Sequence, residues 1–297
     1  MIEARGLTKR YGAQVAVRDL SFRCEPGTVT GFLGPNGAGK STTLRMICGL
    51  TVPTAGEATV LGTAYRRIAN PARHVGVMLD ASAQHEGRRG RETVRLCAET
   101  IGADPARVDE VLTLVGLDRA AAKRRVGQYS LGMRQRLGLA HVLLGEPEVL
   151  ILDEPANGLD PAGINWMREL LRYFADRGGT VLLSSHLLHE VEALADQLLL
   201  INEGRLVASG SKRELLAGTG TLVRSPEPER LAAALEAAAI ATTASDDGLI
   251  ADAEPEAVGR AALAGQVALS ELRPAEGAGL EQLFLSLTSG AEPGAGG

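Results

Sequence analysis

The sequence predicts an α/β protein built on a sheet covered on both faces, with an inserted helical subdomain and a small C-terminal α/β domain. Three observations lead there. The first 210 residues alternate helical patterns with short apolar runs, at 29–33, 149–152 and 181–183, and runs that are apolar on both faces suit strands buried between helices. Between about residues 86 and 147 the pattern turns helical, with segments expected at 91–101, 105–115 and 133–144. After Gly210 the chain becomes Ala-, Glu- and Pro-rich. There the alternation resumes on a smaller scale, with strands expected at 221–223 and 248–251 and helices at 228–239 and near Glu256 and Leu280. The expected division is a main domain at 1–215, an accessory domain at 219–289 and a Gly- and Pro-punctuated tail at 290–297 that is expected to be disordered.

Composition removes several classes of function. With 45% hydrophobic and 23% charged residues the chain reads as an ordinary folding protein. A net charge of −5 gives no global attraction for a phosphate backbone, so nucleic acid is not an expected partner. Cys24, Cys48 and Cys97 are odd in number and widely spaced, which fits a reducing cytosol better than a disulfide or zinc framework. Ile2, Glu3 and Ala4 follow Met1 without a basic or apolar leader, so no secretory signal is expected. No apolar run reaches the roughly 18 residues that a membrane-spanning helix needs. If the protein works at a membrane, another chain is expected to span it.

Chemistry first becomes legible at Gly34, Pro35, Asn36, Gly37, Ala38, Gly39, Lys40 and Ser41, which fit the phosphate-binding pattern GxxxxGK[ST]. They stand between an apolar strand and a helical stretch that begins at Thr42. Glycines let backbone N–H groups turn inward as an anion nest, and the helix N-terminus adds partial positive charge. Lys40 supplies a point charge for the β- and γ-phosphates of a nucleotide, and the Ser41 hydroxyl suits Mg²⁺. Only four lysines stand against 27 arginines, so a Lys at this one position is unlike a chance placement. A second element, the apolar run 149–152, ends in Asp153 and Glu154. Two carboxylates closing a buried strand are unfavourable unless a cation or a reacting water meets them. Asp153 is therefore assigned to Mg²⁺, and Glu154 to orienting or deprotonating the attacking water.

Phosphate loops of this type serve many enzymes, and further motifs narrow the choice. Tyr129, Ser130, Leu131, Gly132, Met133, Arg134 and Gln135 resemble a variant of the LSGGQ signature of the ABC ATPase family, with Leu131 and Met133 inside it. Pro155 to Asp160 is similar to that family's D-loop, and His186 follows 26 residues beyond Asp160. The resemblance covers residues 2 to about 215. It implies that Ser130 and Gly132 hold the γ-phosphate of an ATP seated on a partner subunit, that Asp160 lies at the nucleotide, and that His186 touches the γ-phosphate and helps hold the catalytic geometry. Tyr11 matches the family's adenine-stacking aromatic. One position departs from the pattern: where most members carry the Q-loop glutamine this chain has Asp80, and Gln84 comes four residues too late. An aspartate there can ligate Mg²⁺ but lacks the amide's dual hydrogen bonding. With the Tyr-Ser-Leu-Gly-Met-Arg-Gln signature it resembles the antibiotic- and drug-exporter branch.

The resemblance implies an ATP- and Mg²⁺-dependent ATPase, peripheral on the cytoplasmic side of a membrane, that closes as a head-to-tail dimer with a second copy and drives separate transmembrane subunits. Export of a drug, antibiotic or lipid is the implied task. Alternatives are a soluble ATPase of the same family outside transport and a regulatory nucleotide binder that does not hydrolyse. Neither heptads nor an internal repeat favours the first, Glu154 argues against the second, and no NKxD occurs to suggest a GTPase. His189 reads as a surface residue, and Arg88, Arg89 and Arg91 read as a basic loop whose reading is evenly divided between a solvated surface and a functional patch.

Overall fold

The structure is a computed structural model that describes residues 1–245, 248–276 and 280. The expected tail and all of the expected helix near Leu280 except that residue lie outside the described residues, as does the side chain of His189. The chain divides into two compact units, Met1–Lys212 and Arg213–Gly297.

Elements of the first unit are, in chain order, β1 (Ile2–Tyr11), β2 (Gln14–Cys24), β3 (Val29–Leu33), α1 (Lys40–Ile47), β4 (Ala55–Val60), β5 (Val75–Met78), α2 (Gly90–Ile101), α3 (Arg107–Leu114), α4 (Arg119–Lys123), α5 (Leu131–Leu143), β6 (Val149–Asp153), α6 (Pro161–Asp176), β7 (Thr180–Ser185), α7 (Leu188–Leu194), β8 (Gln197–Asn202) and β9 (Arg205–Ser211). Six strands form one sheet in the order β5-β6-β7-β3-β8-β9. All neighbours in it are parallel except the edge pair β8–β9. Strands β3 and β7 are buried along their whole length, as a doubly covered parallel sheet requires.

A second sheet of three antiparallel strands, order β2-β1-β4, stands apart from it. Ile2, Leu7, Leu20, Phe22 and Val60 of this sheet share one core with Leu44 and Ile47 of α1 and with Phe32, Ile151 and Ile201 of the parallel sheet. Each such fully buried side chain contributes roughly 1.5–3 kcal/mol. Sequence reading did not anticipate this sheet, because its outer face is polar and β1 alternates buried and open positions instead of running apolar throughout.

Between β5 and β6 lie α2, α3, α4 and α5, the expected helical insertion. The five-residue α4 was not expected. It begins at Asp118, whose carboxylate accepts from Ala121 N at 2.7 Å. Longer helices begin in the same way, α5 at Ser130 and α6 at Asp160 with Pro161 in its first turn.

In the second unit α8 (Lys212–Leu216), which starts at the last residue of the first, leads into β10 (Ala217–Arg224), α9 (Pro228–Ala237), β11 (Thr242–Ser245), β12 (Gly248–Ala251), α10 (Pro255–Ala264) and β13 (Glu271–Glu276). Its sheet order is β11-β12-β10-β13, and every neighbouring pair is antiparallel. This is the split β-α-β-β-α-β arrangement of ferredoxin-like domains. Leu231 and Leu235 of α9 and Val258, Ala261 and Ala262 of α10 bury against Val223 and Ala251 of the sheet. Strands β11 and β13 were not expected. All four residues of β11 are exposed, so no apolar alternation marks it.

Candidate functional site

Sheet order decides what meets at the site. Strand β7 lies between β6 and β3, with Asp153 paired to Ser184 and Leu33 to Ser185. The carboxyl ends of all three strands therefore finish level, and each continues into one of the expected motifs: the phosphate loop after β3, the carboxylate pair after β6 and His186 after β7. Open α/β sheets bind ligands at such strand ends.

The phosphate loop closes on α1 with Gly39 at φ +105°, where a Cβ would lie 2.5 Å from Ala16 O. Only glycine fits there. No side chain caps the N-terminus of α1, so its first N–H groups remain available to an anion. Lys40 is 6% exposed and its ammonium donates to Gly34 O at 2.6 Å and Pro35 O at 3.2 Å. Burial lowers its pKa, while the nearby Glu154 and Asp153 carboxylates act in the opposite sense. A cavity of about 620 Å³ opens over the loop, lined by Tyr11, Asn36, Gly37, Lys40, Ser41, Thr42 and Glu154 among others.

Glu154 leaves β6 in the left-handed region, at φ +50°, an uncommon backbone state for a residue with a side chain. Its N–H is held by Ser184 O at 3.2 Å. Its Oε2 accepts from His186 Nδ1 at 2.7 Å. A carboxylate can only accept, so Nδ1 carries the proton and Nε2 is left for a second partner. Asp153 Oδ1 accepts from the Ser184 hydroxyl.

Ser41 and Asp153 offer only hard oxygens, and among the described residues no group of three or more His, Cys, Asp or Glu could cage an ion. That donor set fits Mg²⁺, which keeps most of its waters and shares one or two protein oxygens with substrate phosphates. The cysteines offer no competing chemistry. Burial pushes the thiols of Cys24 and Cys48 up to about 12 and that of Cys97 upward as well, so none is a thiolate at neutral pH.

Several expected residues lie elsewhere. Ser130 caps α5, its Oγ accepting from Met133 N at 3.2 Å, and neither it nor Gly132 lines the cavity over the loop. Gly132 packs against the D-loop, where a Cβ would lie 3.0 Å from Gly158 O. Asp160 caps α6, Oδ1 accepting from Gly163 N at 2.8 Å, and is likewise absent from the cavity lining. Asp80 Oδ1 accepts from Ser82 N at 2.8 Å and Ser82 Oγ at 2.6 Å, and these bonds hold its carboxyl below the usual range. Gln84 reaches the Arg134 carbonyl of α5 at 3.4 Å instead of the cavity. Arg88 and Arg91 form exposed pairs with Glu92 and Asp109.

Sequence reading missed Gln14, Arg18 and Glu203, which line the same cavity, and Ser184. Nothing local marks the first three. Two serines at the end of a buried strand were a usable signal for Ser184, because a buried hydroxyl needs a partner.

Residues 17–157 match the family model described as ABC transporter, and residues 219–281 match one described as a domain of unknown function. The bacitracin transport ATP-binding protein of Bacillus licheniformis is 43% identical over 210 residues, 70% of this chain and 68% of that protein. The Nod factor export ATP-binding protein I of Burkholderia lata is 38% identical over 300 residues, covering 97% and 96% of the two chains. Among solved structures, an ATP-binding subunit of an ABC transporter is 28% identical with a TM-score of 0.66, over 72% of this chain and 91% of that one.

Proposed function

The chain belongs to the ATP-binding proteins of ABC transporters, and from that membership we propose that it powers an exporter, driving separate transmembrane subunits from the cytoplasmic face of a membrane. It binds ATP and couples ATP hydrolysis to transport. Among the described residues no helix is long and apolar enough to cross a membrane, which fits a division of labour with spanning partners. The roles of the two relatives, bacitracin transport and Nod factor export, support export of a small molecule such as an antibiotic.

One observation carries the catalytic reading: Glu154, backed by His186 at 2.7 Å, faces the cavity that the phosphate loop lines. The loop N–H groups and Lys40 bind the polyphosphate, and Tyr11, half-exposed at the cavity, stacks on the adenine. Glu154 accepts the proton of the water that attacks the γ-phosphorus, and ADP leaves as the bond to its β-phosphate oxygen breaks. His186 holds the Glu154 carboxylate in place. Ser41 and Asp153 would hold Mg²⁺, which would supply neutralisation of the phosphate charge. Asp80, whose Oδ1 is held by Ser82, would contribute to that ion only through its other oxygen or after leaving Ser82.

Ser130 and Gly132 lie at a helix start outside the chain's own cavity, and this supports their use on the ATP of a second copy in a head-to-tail dimer. Asp160, on the D-loop against Gly132, belongs to the same interface in this reading.

Two measurements test the proposal together. The purified protein is expected to hydrolyse ATP only with a divalent cation, and affinity purification from detergent-solubilised membranes is expected to recover an integral membrane protein. Cation-independent turnover, or a chain that purifies from membranes without such a partner, would overturn it.

A further inference from the structure

Strand β7 runs Thr180, Val181, Leu182, Leu183, Ser184 and Ser185, and all six are buried. A doubly covered strand would ordinarily stay apolar. Ser185 serves its own loop, accepting from Leu187 N at 2.9 Å. Ser184 instead reaches across the sheet. The β6–β7 register sets it beside Asp153, and its hydroxyl donates to Asp153 Oδ1. The Ser184 Oγ in turn accepts from Glu154 N at 3.3 Å, and the Ser184 carbonyl takes that N–H at 3.2 Å. A hydroxyl has one proton to give and lone pairs to receive. Here the proton goes to one residue of the carboxylate pair and a lone pair goes to the next.

We infer that Ser184 is a positioning residue for ATP hydrolysis, its single buried hydroxyl fixing the Asp153 carboxylate and the Glu154 peptide relative to each other. This rests on the functional reading above. Oδ1 of Asp153 accepts from Ser184, which holds the carboxylate in one orientation and would leave Oδ2 without that bond for an ion to use. The Glu154 peptide, at φ +50°, occupies a backbone state that persists only when its surroundings hold it. His186, two residues on, holds the far end of the Glu154 side chain, so the end of β7 grips the carboxylate pair at three points: Asp153 Oδ1, Glu154 N and Glu154 Oε2. An alanine at 184 removes the hydroxyl contacts at the first two and leaves the Ser184 carbonyl contact, which is main chain, intact. Groups that orient a metal's ligands in this way typically contribute 10–100-fold to metal affinity or rate.

The test compares the full chain with its Ser184→Ala, Ser184→Thr and Ser184→Cys variants, each verified as folded by thermal unfolding. Mn²⁺ affinity is read by electron paramagnetic resonance with a non-hydrolysable ATP analogue bound, analogue affinity is read again in chelator, and kcat and KM are read with Mg²⁺. Ser184→Ala is expected to weaken Mn²⁺ binding and lower kcat by roughly 10–100-fold, leaving metal-free analogue affinity within about twofold of the parent. Ser184→Thr keeps the hydroxyl and is expected to restore both, with Ser184→Cys, a weak donor of similar size, between them. Parent-like Mn²⁺ affinity and kcat in folded Ser184→Ala would overturn the inference. So would an equal loss of metal-free nucleotide affinity, which reports general damage to the fold. If Ser184→Ala does not fold, a Ser184→Cys protein with parent-like values overturns it equally. A parent protein without Mg²⁺-dependent turnover overturns the functional reading itself, and the two failures are thereby distinguished.

Discussion

Glu154→Gln is the most discriminating change at this site, because it removes a charge and very little else. The amide has the size of the carboxylate, its oxygen can still accept from His186 Nδ1 where Oε2 now does at 2.7 Å, and the N–H of residue 154 keeps its contact with Ser184 O at 3.2 Å. What is lost is a group able to take a proton from water, and turnover is expected to fall by roughly 10²–10⁴-fold, the usual contribution of a general base. ATP affinity is expected to stay equal or to tighten, since one negative charge leaves a cavity that receives a polyphosphate. His186→Ala leaves Glu154 in place but takes away its charged hydrogen bond, for which about 1.5–3 kcal/mol is ordinary. At about 1.36 kcal/mol per decade, that corresponds to a loss of roughly 10- to 150-fold if it all falls on kcat. The two residues act as a unit, so the double variant should be about as slow as Glu154→Gln alone. Steady-state phosphate release and equilibrium ATP titration on the three proteins give the answer. A Glu154→Gln protein that turns over at the parent rate would remove Glu154 as the base, and multiplicative losses in the double variant would refute the coupling read from the 2.7 Å contact.

Other consequences are open to direct measurement. Lys40→Ala should lower ATP affinity about 100-fold or more, since it removes the compensating cation and two charge-assisted bonds to the loop carbonyls; an affinity within about twofold of the parent in an equilibrium titration would exclude the assignment. Trapped with ATP, Glu154→Gln should shift from monomer to dimer in light scattering, ADP should not produce the shift, and Ser130→Arg on that background should abolish it. Asp80→Gln should preserve nucleotide binding and alter the ratio of Mg²⁺ to Mn²⁺ activity if the carboxylate reaches the metal's shell; identical profiles would confine Asp80 to its turn with Ser82. Burial lowers the pKa of His141 in α5, so folding favours its neutral form. Its contribution is complete above the unfolded value near 6.5 and is lost as pH falls from there through the lowered folded value. The melting temperature should drop between pH about 7.5 and about 5.5, less steeply for His141→Gln, and equal slopes would exclude His141 as the cause.

The chemistry legible in the sequence is chemistry written in contiguous residues. Gly34 to Ser41 between a strand and a helix, Asp153 and Glu154 closing a strand, and Ser130 at a helix start need only local spacing to be read, because nests, strand ends and caps are formed by neighbours in the chain. The doubly covered sheet was readable for a related reason, since burial on both faces leaves uninterrupted apolar runs, while its strand direction was not. The three-stranded sheet and β11 were not, because strands open on one or both faces carry polar residues that resemble loops.

Tertiary structure alone decided which of these pieces meet. His186 reaches Glu154 across 32 residues and Ser184 reaches Asp153 across 31, and both contacts follow from β7 lying between β6 and β3 in register. Strand order and register are set by how whole faces of a sheet bury against α1 and the second sheet, and no local pattern records that choice. For the same reason the sequence could name Asp80 as a metal ligand, while only the folded turn could commit its carboxylate to Ser82, two residues away.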